Sequence, residues 1–239
     1  SSTVSWASEM CIRDRALHIP IVYTYHTMYE DYTHYFNPLD FDSVEKLGKS
    51  VIRTFSRVMS NGSQAVIAPS EKTKQALLQY GVMAPIYIVP TGLDLSEYDR
   101  KNLDENRVQS IREELGFTSE DHIVVFVGRI AKEKAIEIPI EAISKNADPH
   151  LHLVIVGGGT DMEYYQDLAK KYNVSDRVHF TGKIPKENIA YYYAAFDCFV
   201  SASLSETQGM TYIEALASGL LAVSYTHLRA HETVLDIVC

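Results

Sequence analysis

The chain has 239 residues, 46% hydrophobic and 22% charged, with a formal net charge of −9. This composition supports a sizeable core, excludes wholesale disorder and opposes general nucleic-acid binding, because phosphate repulsion must be overcome locally. The three cysteines, Cys11, Cys198 and Cys239, show no CxxC pair or framework spacing, which fits a reduced, cytoplasmic setting; no apolar run approaches the roughly 18 residues of a membrane span, and the first residues lack a signal-peptide pattern.

Short β-rich apolar runs alternate with helical patterns along the chain. The predicted strands are Ile19–Tyr25, Ala65–Pro69, Ile86–Pro90, Ile123–Gly128, Leu151–Gly157, Val178–Gly182 and Cys198–Ser201, with a further one starting at Leu220. Several are apolar at nearly every position, as strands covered on both faces must be. The predicted helices are Val44–Ser60, Glu71–Tyr80, Glu105–Leu115, Glu133–Lys145, Met162–Tyr172, Lys186–Ala195 and Gln208–Ser218. Strand then helix, repeated, predicts an α/β fold with parallel, doubly wound sheets. The polar segment Thr91–Glu120 interrupts the rhythm, and a domain boundary is placed there near Asp99, giving lobes over 16–99 and 100–223. A doubly wound lobe usually has five or six strands, so the first lobe reads as incomplete and the second as lacking its last elements.

The two ends, 1–15 and 224–239, do not continue the pattern and resemble translated sequencing-adaptor sequence, so they are set aside as artefacts. The rival reading of the second end is a zinc site at His227 and His231, four apart beside Glu232. HxxxH lacks the internal Glu and no third ligand is evident, so no metal site is expected. Asp40-Phe-Asp42 is formally a DxD; it precedes a helix, and capping explains it.

Three segments carry chemistry. In Phe126-Val-Gly-Arg-Ile-Ala-Lys-Glu-Lys134 a buried strand ends at Gly128, Arg129 follows, and Lys134 sits at a helix start. Ligands bind at the ends of parallel strands, and a helix N-terminus attracts anions. Arg129 and Lys134 together can hold a diphosphate without metal, Arg by its bidentate fork and Lys as a point charge; Lys132 reads as surface charge. In Leu153-Val-Ile-Val-Gly-Gly-Gly159, Gly157 serves either close approach of a ligand or a tight turn. In Ser205-Glu-Thr-Gln-Gly-Met-Thr-Tyr-Ile-Glu-Ala-Leu-Ala217, Glu206 lies in a loop and Glu214 within an apolar helix. A carboxylate there must be paired, by ribose hydroxyls or by a structural hydrogen bond, and Gly209 lets backbone N–H groups face a sugar or phosphate.

Gly128-Arg129 with Lys134, followed by Glu206-x7-Glu214, resembles the large retaining glycosyltransferase family of the family 4, group 1 type, which includes sucrose, mannosyl and glycolipid synthases. The resemblance runs from about Ala16 to Val223 and implies two facing Rossmann-like lobes, the GT-B architecture. It implies that Arg129 and Lys134 bind the donor diphosphate, that Glu206 contacts hydroxyls of the donor sugar, and that Gly209 and Met210 offer backbone amides. It further implies that Glu214 holds the ribose, that Gly128, Gly157, Ile184 and Gln208 line the donor site, and that His26 faces the donor sugar from the first lobe. Two positions depart from the family: Ala135, where glycine is common, and Leu221, where proline is common. Two full lobes need roughly 300 residues or more.

Tyr23-Thr-Tyr-His-Thr-Met-Tyr-Glu-Asp-Tyr32 and Ser205-Glu-Thr-Gln-Gly-Met-Thr211 are similar to the subgroup that glucosylates diacylglycerol in Gram-positive bacteria. This implies transfer of glucose from UDP-glucose to a lipid acceptor with retention, without a cofactor or metal, at the inner face of the cell membrane. Another donor or acceptor, such as GDP-mannose or an envelope glycan, and a non-catalytic nucleotide-sugar binder are the alternatives. The helix Val44–Ser60 points the same way: Val44, Leu47, Val51, Phe55 and Val58 share one face, and Lys46, Lys49, Arg53 and Arg57 the opposite one. The apolar face is expected to pack on the lobe and the basic face to meet anionic lipid, or else to be a solvated face. A nicotinamide-dependent oxidoreductase would need GxGxxG after a lobe's first strand, which is absent.

Overall fold

A computed structural model describes residues 19–29, 42–203 and 205–224, without the side chains of 42–45. Predicted features at Cys11, Asp40, His227, His231 and Cys239 therefore lie outside the described residues. The chain divides into two compact units, one holding the residues before Leu93 together with Glu206–Gln208, the other holding the rest. The boundary falls at Gly92, earlier than the expected Asp99, because Tyr98 is buried in the second unit's core.

In the first unit, β1 (Val22–Thr24), β2 (Ala65–Ala68) and β3 (Ile86–Ile88) form a parallel sheet in that order. Helix α1 (Asp42–Asn61) joins β1 to β2, and α2 (Glu71–Gln79) joins β2 to β3. Ser70 caps α2 by accepting from the Thr73 N–H, satisfying one donor that a helix start leaves open. Tyr25, Met28, Val66, Leu77 and Tyr80 form the core.

The packing of α1 corrects the sequence expectation. Its apolar face is the exposed one, with Leu47 67%, Val51 60%, Phe55 48% and Val58 60% accessible. The side chains turned inward are small: Ser56 and Ser60 are fully buried, and the Tyr25 hydroxyl lies 3.4 Å from Ser56 Oγ. Small residues let the helix approach the sheet closely, which a row of Leu and Phe prevents.

In the second unit, β4 (His122–Val127), β5 (Leu151–Val156), β6 (Val178–Gly182), β7 (Cys198–Ser201) and β8 (Leu221–Ser224) form a parallel sheet ordered β6-β5-β4-β7-β8. Ser224, set aside with the second end, completes β8 and accepts a 3.1 Å hydrogen bond from the Tyr212 hydroxyl. Strand pleating sends alternate side chains to opposite faces. Ile123, Val125, Val127, Val154 and Val156 meet one core; Phe126, Leu153 and Ile155 meet the other. The first core is covered by α3 (Glu105–Glu114), α6 (Lys186–Ala195) and α7 (Met210–Ala217), through Ile111, Tyr193 and Ala215. The second is covered by α4 (Glu137–Lys145) and α5 (Met162–Lys171), through Ile140, Ile143 and Tyr165.

From central β4 the chain moves outward through β5 and β6, then returns to β7 on the other side of β4. The crevice beyond the carboxyl ends of β4 and β7 is therefore the topological switch point of this sheet, where such folds bind ligands. The segment leaving β4 is pinned by the glycine run leaving β5. Gly128 N–H donates to the Val156 carbonyl at 3.0 Å, and Ile130 N–H to the Gly158 carbonyl at 3.1 Å. A Cβ added to Gly157 would lie 1.9 Å from the Gly128 oxygen, and one added to Gly159 1.8 Å from the Ile130 oxygen. The sterically required role of these glycines is thus to let one backbone lie against another.

At the opposite, amino-terminal ends of the strands, His152 and His179 share a 3.2 Å hydrogen bond and both rings pack on Phe117. His179 is held below its ordinary pKa, first by burial and then by the neighbouring His152, with Asp176 opposing. His150 is raised by its hydrogen bond to Asp121.

Gly159→Ala is predicted to lower stability by about 1–3 kcal/mol through the backbone clash, a Tm drop on the order of 2–10 °C by thermal denaturation. Gly92→Ala, which meets nothing within 4 Å, serves as the neutral control. A second prediction concerns pH. Because the folded pKa of His179 lies below the unfolded value of about 6.5, the unfolded chain binds more protons in the window between them. Stability is therefore lost as pH falls from about 6.5 through the folded pKa. His150 acts in the adjoining window above about 6.5, where its contribution fades as pH rises. Replacing His179 with Asn flattens the acid-side decline below about pH 6.5, followed by urea titrations at each pH.

Candidate functional site

The residues that sequence reasoning expected at the strand end gather at the switch point. Arg129 follows Gly128 at the end of β4, with its side chain 51% exposed. Its Nη2 pairs with Oε1 of Glu133, whose side chain is only 2% exposed. Lys134 Nζ donates to Ser203 Oγ at 3.3 Å, which ties the β4 loop to the residues just past β7. Lys134 thus stands at the end of the neighbouring strand and Arg129 at the end of its own, an arrangement suited to an anion at the switch point.

The expected helix start is corrected. Residues Lys132–Lys134 form a short 3-10 turn, Ala135 adopts the left-handed conformation at φ 47° and ψ 45°, and α4 begins only at Glu137. Lys134 therefore sits on the turn and not on the helix, so the α4 dipole acts from a full left-handed step further along the chain. A non-glycine residue in that conformation costs about 1–2 kcal/mol. Ala135 bears that cost where the family commonly has glycine. Backbone bonds hold the turn in place: Lys134 N–H donates to the Ala131 carbonyl at 2.9 Å, and Lys132 N–H to Asp161 Oδ2, also at 2.9 Å.

Glu214 lies in the second turn of α7, half-buried. Burial raises its pKa, while hydrogen bonds from Tyr193 and Tyr98 pull it back. The Tyr193 hydroxyl donates to Oε2 at 3.1 Å. Both phenols are in turn pushed upward, chiefly by burial and then by the carboxylate, so each remains a donor at neutral pH. A carboxylate accepts at about four lone-pair positions, so two phenols orient Glu214 without exhausting it, leaving capacity for a pair of hydroxyls. The structural hydrogen bond and the ligand role, rival readings of the sequence, are compatible.

Gly209 precedes α7 at φ 73°. The N–H groups of Met210 and Thr211 open the helix and have no intrahelical acceptor by construction. Ile184, just past β6, is half-buried against the core that holds Tyr193. Gly157 gives its missing Cβ space to the Gly128 carbonyl, so its observed role is to seat the Arg129 loop.

In the first unit, His26 follows β1 and is exposed. Glu206 and Gln208 group with this unit. Lys72 Nζ donates to the Glu206 carbonyl at 2.9 Å, and Gln208 exchanges two hydrogen bonds with the Thr91 backbone, at 2.8 and 3.2 Å. On α1, Lys46, Arg53 and Arg57 are exposed and Lys49 is half-buried; Arg53 stands 5.7 Å from the centre of the Tyr80 ring.

Sequence reasoning missed Glu133, Ser203, Tyr98 and Tyr193. Glu133 was visible as an acid between two lysines, an arrangement that reads as surface charge. Tyr193 was visible as the last of three consecutive tyrosines. Their roles depend on tertiary neighbours that no spacing announces. Among the described residues no group of three or more His, Cys, Asp or Glu is arranged to hold a metal ion.

Comparison with known proteins agrees with this geometry. The family description "Glycosyl transferases group 1" matches residues 107–238, more than half of the chain, and "Glycosyltransferase Family 4" matches residues 2–97. The chain is 33% identical over 227 residues to an alpha-monoglucosyldiacylglycerol synthase of Streptococcus pneumoniae, covering 93% of this chain and 50% of that protein. It is 30% identical over 204 residues to the synthase of the same name from Acholeplasma laidlawii, covering 84% and 51%. It thus spans about half the length of these curated relatives. Among solved structures, Anabaena Alr3699/HepE in complex with UDP and glucose superposes with a TM-score of 0.71 at 23% identity, over 90% of this chain and 55% of that one. The motifs, the two parallel sheets and these matches agree: the chain belongs to the group 1, family 4 glycosyltransferases, retaining enzymes of the GT-B fold.

Proposed function

We propose that this chain carries the donor-binding part of an enzyme that transfers a hexose from a UDP-sugar, glucose in the first instance, to diacylglycerol with retention of configuration. The observation that carries the reading is the placement of Arg129 and Lys134 at the switch point, with Lys134 bonded to Ser203 past β7. In glycosyl transfer, negative charge builds on the departing diphosphate. Arg129 and Lys134 stabilise it there without a metal, as preorganised cations do where charge develops. Glu214, oriented by Tyr98 and Tyr193, takes the ribose hydroxyls, and Ile184 borders the base. The amides of Gly209 and Met210 are assigned to the donor sugar; the roles of His26, Glu206 and Gln208, which group with the other unit, rest on the family resemblance alone. The name shared by the Streptococcus and Acholeplasma relatives supports the lipid acceptor.

Helix α1 supports a membrane-surface location at the cytoplasmic face. An interfacial helix buries its apolar stripe at the headgroup boundary and holds its cations against anionic lipid. With Leu47, Val51, Phe55 and Val58 outward, the stripe enters the lipid, the reverse of the orientation read from the sequence, while Arg53 and Arg57 lie toward Tyr80 and Gly81 of the lobe. No helix among the described residues is long and apolar enough to cross a membrane.

Two measurements test this. In calorimetric titration, the chain binds UDP, and Arg129→Ala weakens binding by roughly 10–100-fold, the loss of a charge-assisted contact; unchanged affinity rejects the diphosphate role. A panel with GDP in place of UDP separates this donor from a GDP-sugar. In vesicle sedimentation, the chain partitions onto phosphatidylglycerol-containing vesicles at low salt and not onto neutral ones. Phe55→Ser and Arg57→Glu each reduce the bound fraction, and equal binding by all variants rejects the role of α1.

A further inference from the structure

We infer that Glu133 is a positioning residue for the donor diphosphate, acting through Arg129; the inference rests on the donor-site reading above. A carboxylate beside an anion site is a Coulombic liability, since it repels the same phosphates that Arg129 and Lys134 attract. It is also costly to bury unless it is paired. Glu133 is both buried and next to the two cations: its side chain is 2% exposed, and its Oε1 receives Nη2 of Arg129. Burial keeps it away from substrate, so it does not belong among the groups that touch the reacting atoms.

What the pair provides is geometry. Arg presents five N–H donors in one rigid plane. Holding Nη2 fixes the rotation of that plane, so the remaining edge meets a diphosphate in a set orientation, while the side chain stays half-exposed at 51%. The anchor itself is well fixed. Glu133 sits on the 3-10 turn Lys132–Lys134, which is closed by Lys134 N–H on the Ala131 carbonyl and tied to Asp161 through Lys132 N–H. The residue before Arg129 is seated against Gly157 and the residue after it against Gly159. Arginine without such a hold loses more side-chain freedom on binding, and affinity falls accordingly.

The test is a double-mutant cycle on the 239-residue chain, with UDP as the probe in calorimetry and thermal denaturation in parallel. Glu133→Gln keeps the shape and removes the charge. It is expected to weaken UDP binding about tenfold beside Arg129 and by less than about twofold in the Arg129→Ala background. Equal losses in both backgrounds mean a purely structural acid and overturn the proposal, as does wild-type affinity for Glu133→Gln. Should Glu133→Gln fail to fold, Glu133→Asp, which keeps the charge but withdraws it by one carbon, replaces it with the same two expectations. If Arg129→Ala alone binds UDP like the wild type, the donor-site reading itself has failed. If Arg129→Ala is weakened and Glu133→Gln is not, only the positioning role has failed.

Discussion

The arrangement of the site depends on one close approach, that of the β4 exit to the glycine run after β5. The carbonyls of Gly128 and Ile130 occupy the space that side chains at 157 and 159 would fill. Two hydrogen bonds, from Gly128 and Ile130 to the β5 side, hold that contact. Because β4 is the central strand, fixing its exit fixes the position of Arg129 relative to both neighbouring strands. Lys134 then reaches Ser203 on the β7 side. Under the proposed donor-site reading, phosphate recognition at this switch point would depend on backbone packing first and on charge second, since two cations in an unconstrained loop would bind a diphosphate only after ordering the loop.

The second unit shows how a half-buried acid and its surroundings share one energetic problem. Desolvation alone would push Glu214 toward the neutral form, which cannot accept hydroxyl protons as well as a carboxylate does. Tyr98 and Tyr193 oppose that push by donating to the charged form. Both tyrosines are also core residues, packed on one another at 6.0 Å between ring centres. The same side chains therefore hold α6, the segment before α3 and the acid on α7 in one arrangement. Tyr98 explains why the interdomain segment from Leu93 onward belongs to this unit although its composition is polar.

Much of this was legible in the sequence where one physical rule decides the outcome. Val178–Gly182, Cys198–Ser201 and Lys186–Ala195 appear with the expected bounds, because Gly182, Pro185 and Asp197 mark the turns around them. The Arg129 and Lys134 pair was legible because a strand end and two cations lie within one short stretch. Where two rules compete, the reading failed. Ile136, Ile140 and Ile143 give a helical period that predicts a helix from Glu133, yet period carries no information about φ, and the left-handed Ala135 delays the helix to Glu137. On α1 the apolar stripe predicted the buried face, while close packing selected the serine face. The partners of Glu214 and Arg129 were illegible for a different reason: hydrogen-bond pairing across long sequence separations leaves no local trace.

The inversion of α1 changes what its cations can do. Had Leu47, Val51, Phe55 and Val58 packed inward, Lys46, Lys49, Arg53 and Arg57 would face lipid alone, and attraction would be purely electrostatic, screened within about 8–10 Å at physiological salt. With the apolar stripe outward, the proposed membrane contact would add burial of that stripe to the attraction of those long cationic side chains that reach the surface from the far side of the helix. Each cation near an anionic surface contributes about 1 kcal/mol, and burying the stripe adds about 25 cal/mol for each Å² removed from water. The electrostatic term would bring the protein to the surface and would fade with salt. The apolar term would hold it there at any salt. A helix built this way would give a salt-resistant residual affinity for vesicles that a basic patch cannot, and under the proposed reading that residual would belong to Phe55 and its neighbours, not to the arginines.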